Sequence, residues 1–399
     1  MWKFPKKPSW PYSALKIDRP GIYVHIPFCL RKCPYCDFVS YSVAKVDGNA
    51  GVNTYIDALI QEIGARRRWL ETEGLFPDAF HSLYIGGGTP SLLTAKQLTM
   101  LVEVIKSSFP FTREAEVTLE VNPGTITQSE VVAWRELGIN RLSLGVQSFD
   151  DHMLAYLGRV HAVRDVYQTV KALRSAGFTN LSFDLMFGLP GQNLGQWQDS
   201  LRQAAHLEPP HISCYELTIE PGTAYAILYE EGKLEVPSEE EAIAMLEWTD
   251  QYLTGLGYDH YEISNYALPR FKSRHNQIYW QNRWYLGLGV AAYSYWGGRR
   301  WGNTTSLVEY SQSLAAGRLP EATTETLDLV GQVGETIMLG LRLAEGVSLA
   351  ELRARFGISA WEIWEPEIQR LLRQGLVELA QGCLRLTAQG LLLANRVQS

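Results

Sequence analysis

The sequence predicts an α/β protein: a partial (β/α)6, TIM-like barrel followed by a mainly helical, winged-helix-like C-terminal domain. Three observations lead there. From residue 21 onward, short β-rich runs alternate with longer stretches of helical periodicity, the pattern of parallel strands joined by crossover helices. Many of those runs end in a turn rich in Gly, Pro or polar residues, which places chemistry at the carboxyl ends of the strands, where βα barrels converge on one mouth. Beyond about residue 325 the alternation gives way to amphipathic helices and one short hairpin.

Taken in order, the expected strands cover residues 21–27, 80–86, 115–121, 141–146, 180–187 and 211–217. The first leads into a cysteine-rich loop, the second into Gly-Gly-Gly-Thr-Pro ending at Pro90, and the third into Glu120-Val-Asn-Pro. The fourth meets Gln147 and Ser148, the fifth Gly-Leu-Pro-Gly ending at Gly191, and the sixth is followed by Glu220-Pro-Gly-Thr. Helices are expected over residues 53–73, 94–109, 127–137, 162–176, 194–207 and 239–256. Six units are too few for a closed eight-stranded barrel, so the barrel is expected to be open on one side. The aromatic-rich stretch from Arg274 to Tyr285, with the small residues that follow it, is expected to cover that side. The division is then an N-terminal arm over residues 1–20, the barrel and its side-closing segment over 21–325, and the C-terminal domain over 326–399.

The composition excludes several functions. With 399 residues, 46% apolar and 20% charged, the chain can bury one large core and a smaller second one. A formal charge of -7 argues against broad nucleic-acid binding, and the tail pairs its Arg residues with Glu instead of presenting a basic stripe, so a lid or partner-docking module suits it better than a DNA reader. No run of about eighteen apolar residues is present, and the start carries Lys3, Lys6 and Lys7 without the apolar stretch of a signal peptide; a cytoplasmic protein is expected.

The most informative feature is the spacing Cys29-x-x-x-Cys33-x-x-Cys36. An iron-sulfur cube takes one thiolate per iron, so three cysteines leave one iron open to an exchangeable ligand. A zinc site with His25 as fourth ligand is the alternative; no second Cys-x-x-Cys or His pair follows to support it. Cys214 and Cys383 lie far away in apolar surroundings, as small buried thiols do. Gly86, Gly87 and Gly88 would let backbone approach a ligand, or simply turn sharply. Glu120, Gln147 and Asp184 end otherwise apolar strands, where a carboxylate needs a cationic ligand or an arginine such as Arg141 or Arg159.

In combination these residues resemble the radical S-adenosylmethionine superfamily, on the cysteine loop and the strand-end Gly-Gly-Gly-Thr-Pro. The runs Tyr23 to Cys29, Leu144 to Phe149, Asp184 to Pro190 and His275 to Trp280 resemble more narrowly the oxygen-independent coproporphyrinogen III oxidase group, over residues 20–395. The true oxidases carry another cysteine two positions after the third; Phe38 stands there, and the chain looks like the heme chaperone branch of the group. The resemblance implies a barrel of the radical type, a 4Fe-4S cluster on Cys29, Cys33 and Cys36, S-adenosylmethionine contacts at Tyr23, Tyr35, Gly87 and Glu120, and contacts to a second copy at Gly88, Thr89, Gln147, Arg159 and Asp184. It implies a carrier of heme with heme-acceptor proteins and an electron donor as partners, the alternative being a coproporphyrinogen-oxidising enzyme of porphyrin biosynthesis. His275 is the candidate heme ligand, with Tyr279, Trp280 and Trp284 to pack on the macrocycle and Arg274, Arg283, Arg299 or Arg300 for the propionates; a hydrogen-bonded core cluster around His275 is the other reading, and His25 and His161 are rival ligands.

Overall fold

The structure, a computed structural model, describes residues 19–394 and 397. Apart from Arg19 and Pro20, the expected N-terminal arm lies outside the described residues. The first half alternates as anticipated. Strand β1 (Gly21–Ile26) leads to the two-residue strands β2 (Phe28–Cys29) and β3 (Tyr41–Ser42), then to the long helix α1 (Gly48–Glu73). There follow β4 (Phe80–Gly87), α2 (Ala95–Ser108), β5 (Phe111–Val121), α3 (Gln128–Glu136), β6 (Arg141–Gln147) and α4 (Asp151–Tyr156). The alternation closes with α5 (Val163–Ser175), β7 (Leu181–Phe187), α6 (Leu194–His206) and β8 (His211–Glu216), and then α7 (Ala224–Glu230) and α8 (Glu239–Gly255). Several helices begin where the sequence can cap them: Thr94, Thr127, Asn193 and Ser238 each accept from the N3 amide while the N3 Gln or Glu reaches back.

The sheet is wider than the sequence suggests. Strands β9 (Asp259–Glu262) and β10 (Asn265–Ala267) add an antiparallel hairpin beyond β8. After the short helix α9 (Arg274–Trp280), strand β11 (Tyr285–Leu288) pairs in parallel with β1, and β12 (Tyr293–Trp296), β13 (Arg299–Asn303) and, past α10 (Leu307–Ala315), β14 (Glu321–Thr326) continue antiparallel. The order is β14-β13-β12-β11-β1-β4-β5-β6-β7-β8-β10-β9. Among the described residues its two ends do not pair with each other, so the barrel is open. Of the stretch expected to cover the open side, Arg274–Trp280 forms α9 and Tyr285–Leu288 extends the sheet past β1.

Strand alternation sets two environments. In β1, Ile22, Val24 and Ile26 pack into the main apolar core, which also takes Leu83 and Ile85 of β4, Leu142 and Leu144 of β6 and Phe183 and Leu185 of β7. The other parity is polar on strand after strand: Ser82 and Tyr84, then Glu116, Thr118 and Glu120, then Arg141 and Ser143, then Ser182 and Asp184, then His211 and Ser213. This column fills the barrel, and α9 plugs its amino end: Glu116 accepts from the amides of Arg274 and His275.

The tail consists of α11 (Leu329–Gly340), β15 (Val347–Ser348), α12 (Leu349–Phe356), α13 (Ala360–Arg373), β16 (Val377–Ala380), β17 (Cys383–Leu386) and α14 (Ala388–Leu392). It has its own apolar cluster around Val333, Leu352, Ile368 and Leu384. The β16–β17 hairpin turns at Gln381 (φ 52°) and Gly382 (φ 80°), the two left-handed residues a tight hairpin demands. Among the described residues no helix is long and apolar enough to cross a membrane.

Candidate functional site

Strand β1 delivers the cysteines. Its extension β2 pairs with β3, with Tyr41 N–H donating to Pro27 O at 2.7 Å, so the intervening loop is clamped at its base. Within it, Cys36 N–H donates to Cys33 O at 3.2 Å, a turn that brings the three half-buried cysteines to the wall of one cavity of about 410 Å³ at the carboxyl ends of the strands. Thr89 Oγ1 lies 3.7 Å from Cys29 Sγ and Arg159 Nη1 3.7 Å from Cys33 Sγ, so polar donors already face the sulfurs.

Two glycines are required here. Gly87 has φ 118°, and a Cβ on it would meet the His25 ring at 2.6 Å; a Cβ on Gly88 would lie 2.7 Å from Phe28 O and 3.0 Å from Cys29 Sγ. Backbone thus forms a shelf beside the cysteine loop. Under that shelf Glu120 accepts from Gly87 N–H at 2.9 Å and from Tyr84 Oη–H at 2.9 Å. Burial, and then the neighbouring Asp184 carboxylate, push Glu120 up to about 7. Asp184 accepts from Ser143 at 3.0 Å, and burial raises it also, against the pull of Arg141. Arg159 holds Asn122 Oδ1 at 2.5 Å and Gly145 O at 2.9 Å, and Asn122 Nδ2 donates to Thr89 Oγ1 at 2.8 Å. Gln147 sits at the bulged end of β6 with φ 64°, a left-handed backbone for a residue other than glycine, and its side chain lines the cavity.

Of the expected contacts, Tyr35, Gly87, Gly88, Thr89, Glu120, Gln147, Arg159 and Asp184 all line this cavity with the three cysteines. Tyr23 does not. It stands behind the wall, its hydroxyl 2.9 Å from His25 Nδ1. His25 Nε2 lies 2.8 Å from Val39 O, which can only accept, so Nε2 carries the proton and Nδ1 accepts from Tyr23. With both nitrogens engaged and burial lowering its pKa, His25 backs the shelf and anchors the cysteine loop; it is not placed as a fourth zinc ligand.

Sequence reasoning missed Tyr84, Asn122, Ser143, Ser213 and Tyr215, which also line the cavity. The period-two polarity across β4 to β8 was the signal for most of them.

The candidate heme ligand sits in a hydrogen-bonded cluster, the other reading of that motif. His275 is buried at the barrel floor, Nδ1 2.8 Å from Ser82 Oγ and Nε2 2.8 Å from Tyr279 Oη, so neither nitrogen is open to iron. His161 is buried too, with Nε2 donating to Val146 O at 3.2 Å. Among the arginines, Arg299 pairs with Glu321, Arg300 with Glu335 at 2.5 Å, and Arg274 donates to Glu114 O at 2.8 Å. Burial, then Arg141, push His275 down to about 3. An unfolded histidine takes its proton near 6.5, so the unfolded chain binds more protons below that pH, and this group draws stability away as the medium turns acid. His275→Ala is expected to cost about 2–4 kcal/mol in urea unfolding at pH 7.5, because two buried hydroxyls lose their partner. It should also flatten the fall in stability between pH 6.5 and 5; an unchanged pH profile would contradict the placement.

A loop of three thiolates, a glycine shelf and a buried carboxylate, gathered at the carboxyl mouth of an open parallel barrel, define a radical S-adenosylmethionine protein. The Radical SAM superfamily profile matches residues 23–204, and that of the HemN C-terminal domain matches residues 332–393. The chain is 36% identical to the heme chaperone HemW of Bacillus subtilis (strain 168), over 94% of this chain and 97% of the relative, and 35% identical to HemW of Synechocystis sp. over 94% and 95%. The solved coproporphyrinogen III oxidase (HemN) from Escherichia coli, described as a radical SAM enzyme, superposes with a TM-score of 0.81 at 25% identity, covering 97% of this chain and 91% of that one. The chain belongs to the HemW family of heme chaperones.

Proposed function

We propose that the protein binds heme and transfers it to acceptor proteins, and that it carries a 4Fe-4S cluster on Cys29, Cys33 and Cys36 with S-adenosylmethionine beside it. The observation that carries the cofactor part is the convergence of the three cysteines, the Gly87–Gly88 shelf and Glu120 on one cavity. The donor set fits such a group: three thiols and no fourth, a backbone cradle that any Cβ would fill, and a raised carboxyl that a cationic amine would ionise. When bound, the cluster and S-adenosylmethionine supply one-electron chemistry at the sulfonium. The chain's own residues do the positioning. Glu120 receives the amine, Gly87 and Gly88 let the ligand approach the backbone, and Arg159 holds positive charge against Cys33. Thr89, Gln147, Asp184 and Tyr35 complete the wall, with Tyr23 supporting it through His25.

Full-length similarity to heme chaperones, and Phe38 where the oxidases carry a further cysteine, support the carrier reading over the oxidase. Phe38 lies exposed at the cavity rim. Action in the cytoplasm, an electron donor for the cluster, and a division into a barrel over 21–325 and a terminal unit over 326–399 belong to the same proposal; the separate apolar cluster of the tail supports the last. Titrating anaerobically reconstituted protein with heme is expected to give a Soret shift that ends at one heme per chain. No stoichiometric shift would remove the carrier reading, and formation of protoporphyrinogen from coproporphyrinogen would replace it by the oxidase.

A further inference from the structure

Strand β6 runs between β5 and β7, so its inward side chains stand between carboxyls: Glu116 and Glu120 on one side, Asp184 on the other. In register Arg141 lies opposite Thr118, between the two glutamates, and Ser143 opposite both Glu120 and Ser182. Arg141, Ser143, Glu120 and Asp184 all line the cysteine cavity. Arg141 is 2% exposed; among the described residues its buried Nε–H has no acceptor and no carboxylate closes on it as an ion pair. It therefore acts on its neighbours as a charge across the barrel. We propose that Arg141 is a positioning residue for the cofactor amine: its cation, with the Ser143 hydroxyl, keeps Asp184 ionised, so that Glu120 is the carboxyl that holds a proton until the amine arrives. The amine at Glu120 rests on the cofactor reading above; the placing of the proton does not.

The Ser143 hydroxyl has one proton to give. It stands opposite Glu120 in register, yet it lies 3.1 and 3.0 Å from the two oxygens of Asp184. Burial raises both carboxyls; on Asp184 the pull of Arg141 comes next, whereas on Glu120 the repulsion of Asp184 comes next and Arg141 comes last. The other groups facing the pair are neutral near pH 7. Burial and Arg141 itself lower His211 of β8 and His275 of α9. Burial raises Tyr23 of β1, Tyr84 of β4, Cys214 and Tyr215 of β8, Tyr261 of β9 and Tyr279 of α9. Glu116 spends its oxygens on the amides of Arg274 and His275. Arg159, the other buried cation of the cavity, is turned to Asn122, Gly145 O and Cys33. Opposite charge from Arg141 and like charge between the carboxyls thus push the pair apart, one ionised and one protonated.

Infrared titration of the reconstituted full-length protein, without added S-adenosylmethionine, reads the proton in the carbonyl stretch of a protonated carboxyl. Wild type is expected to lose one band near pH 7 that Glu120→Gln lacks altogether. Asp184→Asn should keep that band and move its midpoint down by about one pH unit, because a neighbouring negative charge has gone. Arg141→Gln should show an additional carboxyl band at pH 7, gone again in Arg141→Lys, a rescue that lost packing alone would not give. Ser143→Ala, a change small enough to fold, should hold its second carboxyl protonated further up the pH scale than wild type. A band that survives Glu120→Gln and vanishes in Asp184→Asn would overturn the proposal. A wild-type spectrum from Ser143→Ala would do the same, whatever becomes of Arg141→Gln. Adding S-adenosylmethionine at pH 6.5 is expected to remove the Glu120 band; binding that leaves it in place would overturn the role given to Glu120. A wild-type protein that binds no S-adenosylmethionine would overturn the cofactor reading, with the infrared assignment still decided by the variants.

Discussion

Changing Cys29, Cys33 and Cys36 together to alanine is expected to remove all bound iron and sulfide, and with them the visible absorption of the cluster, while the protein stays folded. The loop is clamped by the β2–β3 pair and by His25 on Val39 O, none of which the substitutions touch, and the three cysteines are half-buried, so little apolar core is lost. The metal, in contrast, has no other cysteine beside it among the described residues, and His25, whose ring backs the glycine shelf, spends both nitrogens on Val39 and Tyr23. Iron and sulfide analysis after anaerobic reconstitution, with thermal unfolding of the same sample, checks both halves of the expectation. Iron retained at the wild-type level would mean that the cavity at the barrel mouth is not a cluster site.

Glu120→Gln is expected to weaken S-adenosylmethionine binding about ten- to a hundredfold, the range of a charge-assisted hydrogen bond worth roughly 1.5–3 kcal/mol. The amide keeps the shape and can still accept from Gly87 or Tyr84, so the loss reports charge. Burial and Asp184 hold Glu120 near 7, well above an ordinary glutamate. The sign follows directly. Between the ordinary range and about 7 the folded protein holds a proton that the unfolded chain has released, so this group draws stability from the ligand-free protein as pH rises through 7. A cationic amine favours the ionised form, so affinity for S-adenosylmethionine climbs from pH 6 to 8, with a proton released on binding below 7. Titration calorimetry in two buffers of different ionisation enthalpy reads that proton. Wild-type affinity flat across this range, or equal to that of Glu120→Gln, would take the amine away from Glu120.

Much of this site was legible because strands announce their ends. The residues after β4, β5, β6 and β7 include glycine, proline or polar side chains where the strands before them carry an apolar residue at every second position, and the barrel geometry sends those ends to one mouth. What stayed hidden has physical reasons. β11 contains Gly287, whose missing Cβ lets the Tyr293 backbone approach to a distance that any side chain would forbid; glycine there reads as a loop in sequence and acts as close sheet packing in space. β9 and β10 are four and three residues long, too short for period two to declare itself. A histidine followed by Asn, Tyr and Trp has the same composition whether it meets a ligand or closes a barrel floor; it is the register that sets Ser82 and Tyr279 against the two nitrogens of His275, and sequence alone does not carry that register. Tyr23 has the inward parity of β1, yet its hydroxyl turns to His25 and its ring packs against Tyr84, which lines the cavity in its place.

The placing of β1 between β4 and β11 has a consequence for how the protein is made. The strand leaves the ribosome early, but one of its edges finds its partner only when Tyr285–Leu288 has been synthesised. Until then the cysteine loop hangs from a half-dressed strand, open to oxidation and to mispairing with other nascent chains. Insertion of iron and sulfide is therefore expected to follow translation of most of the chain, and ribosome-bound fragments ending before Tyr285 should fail to retain them.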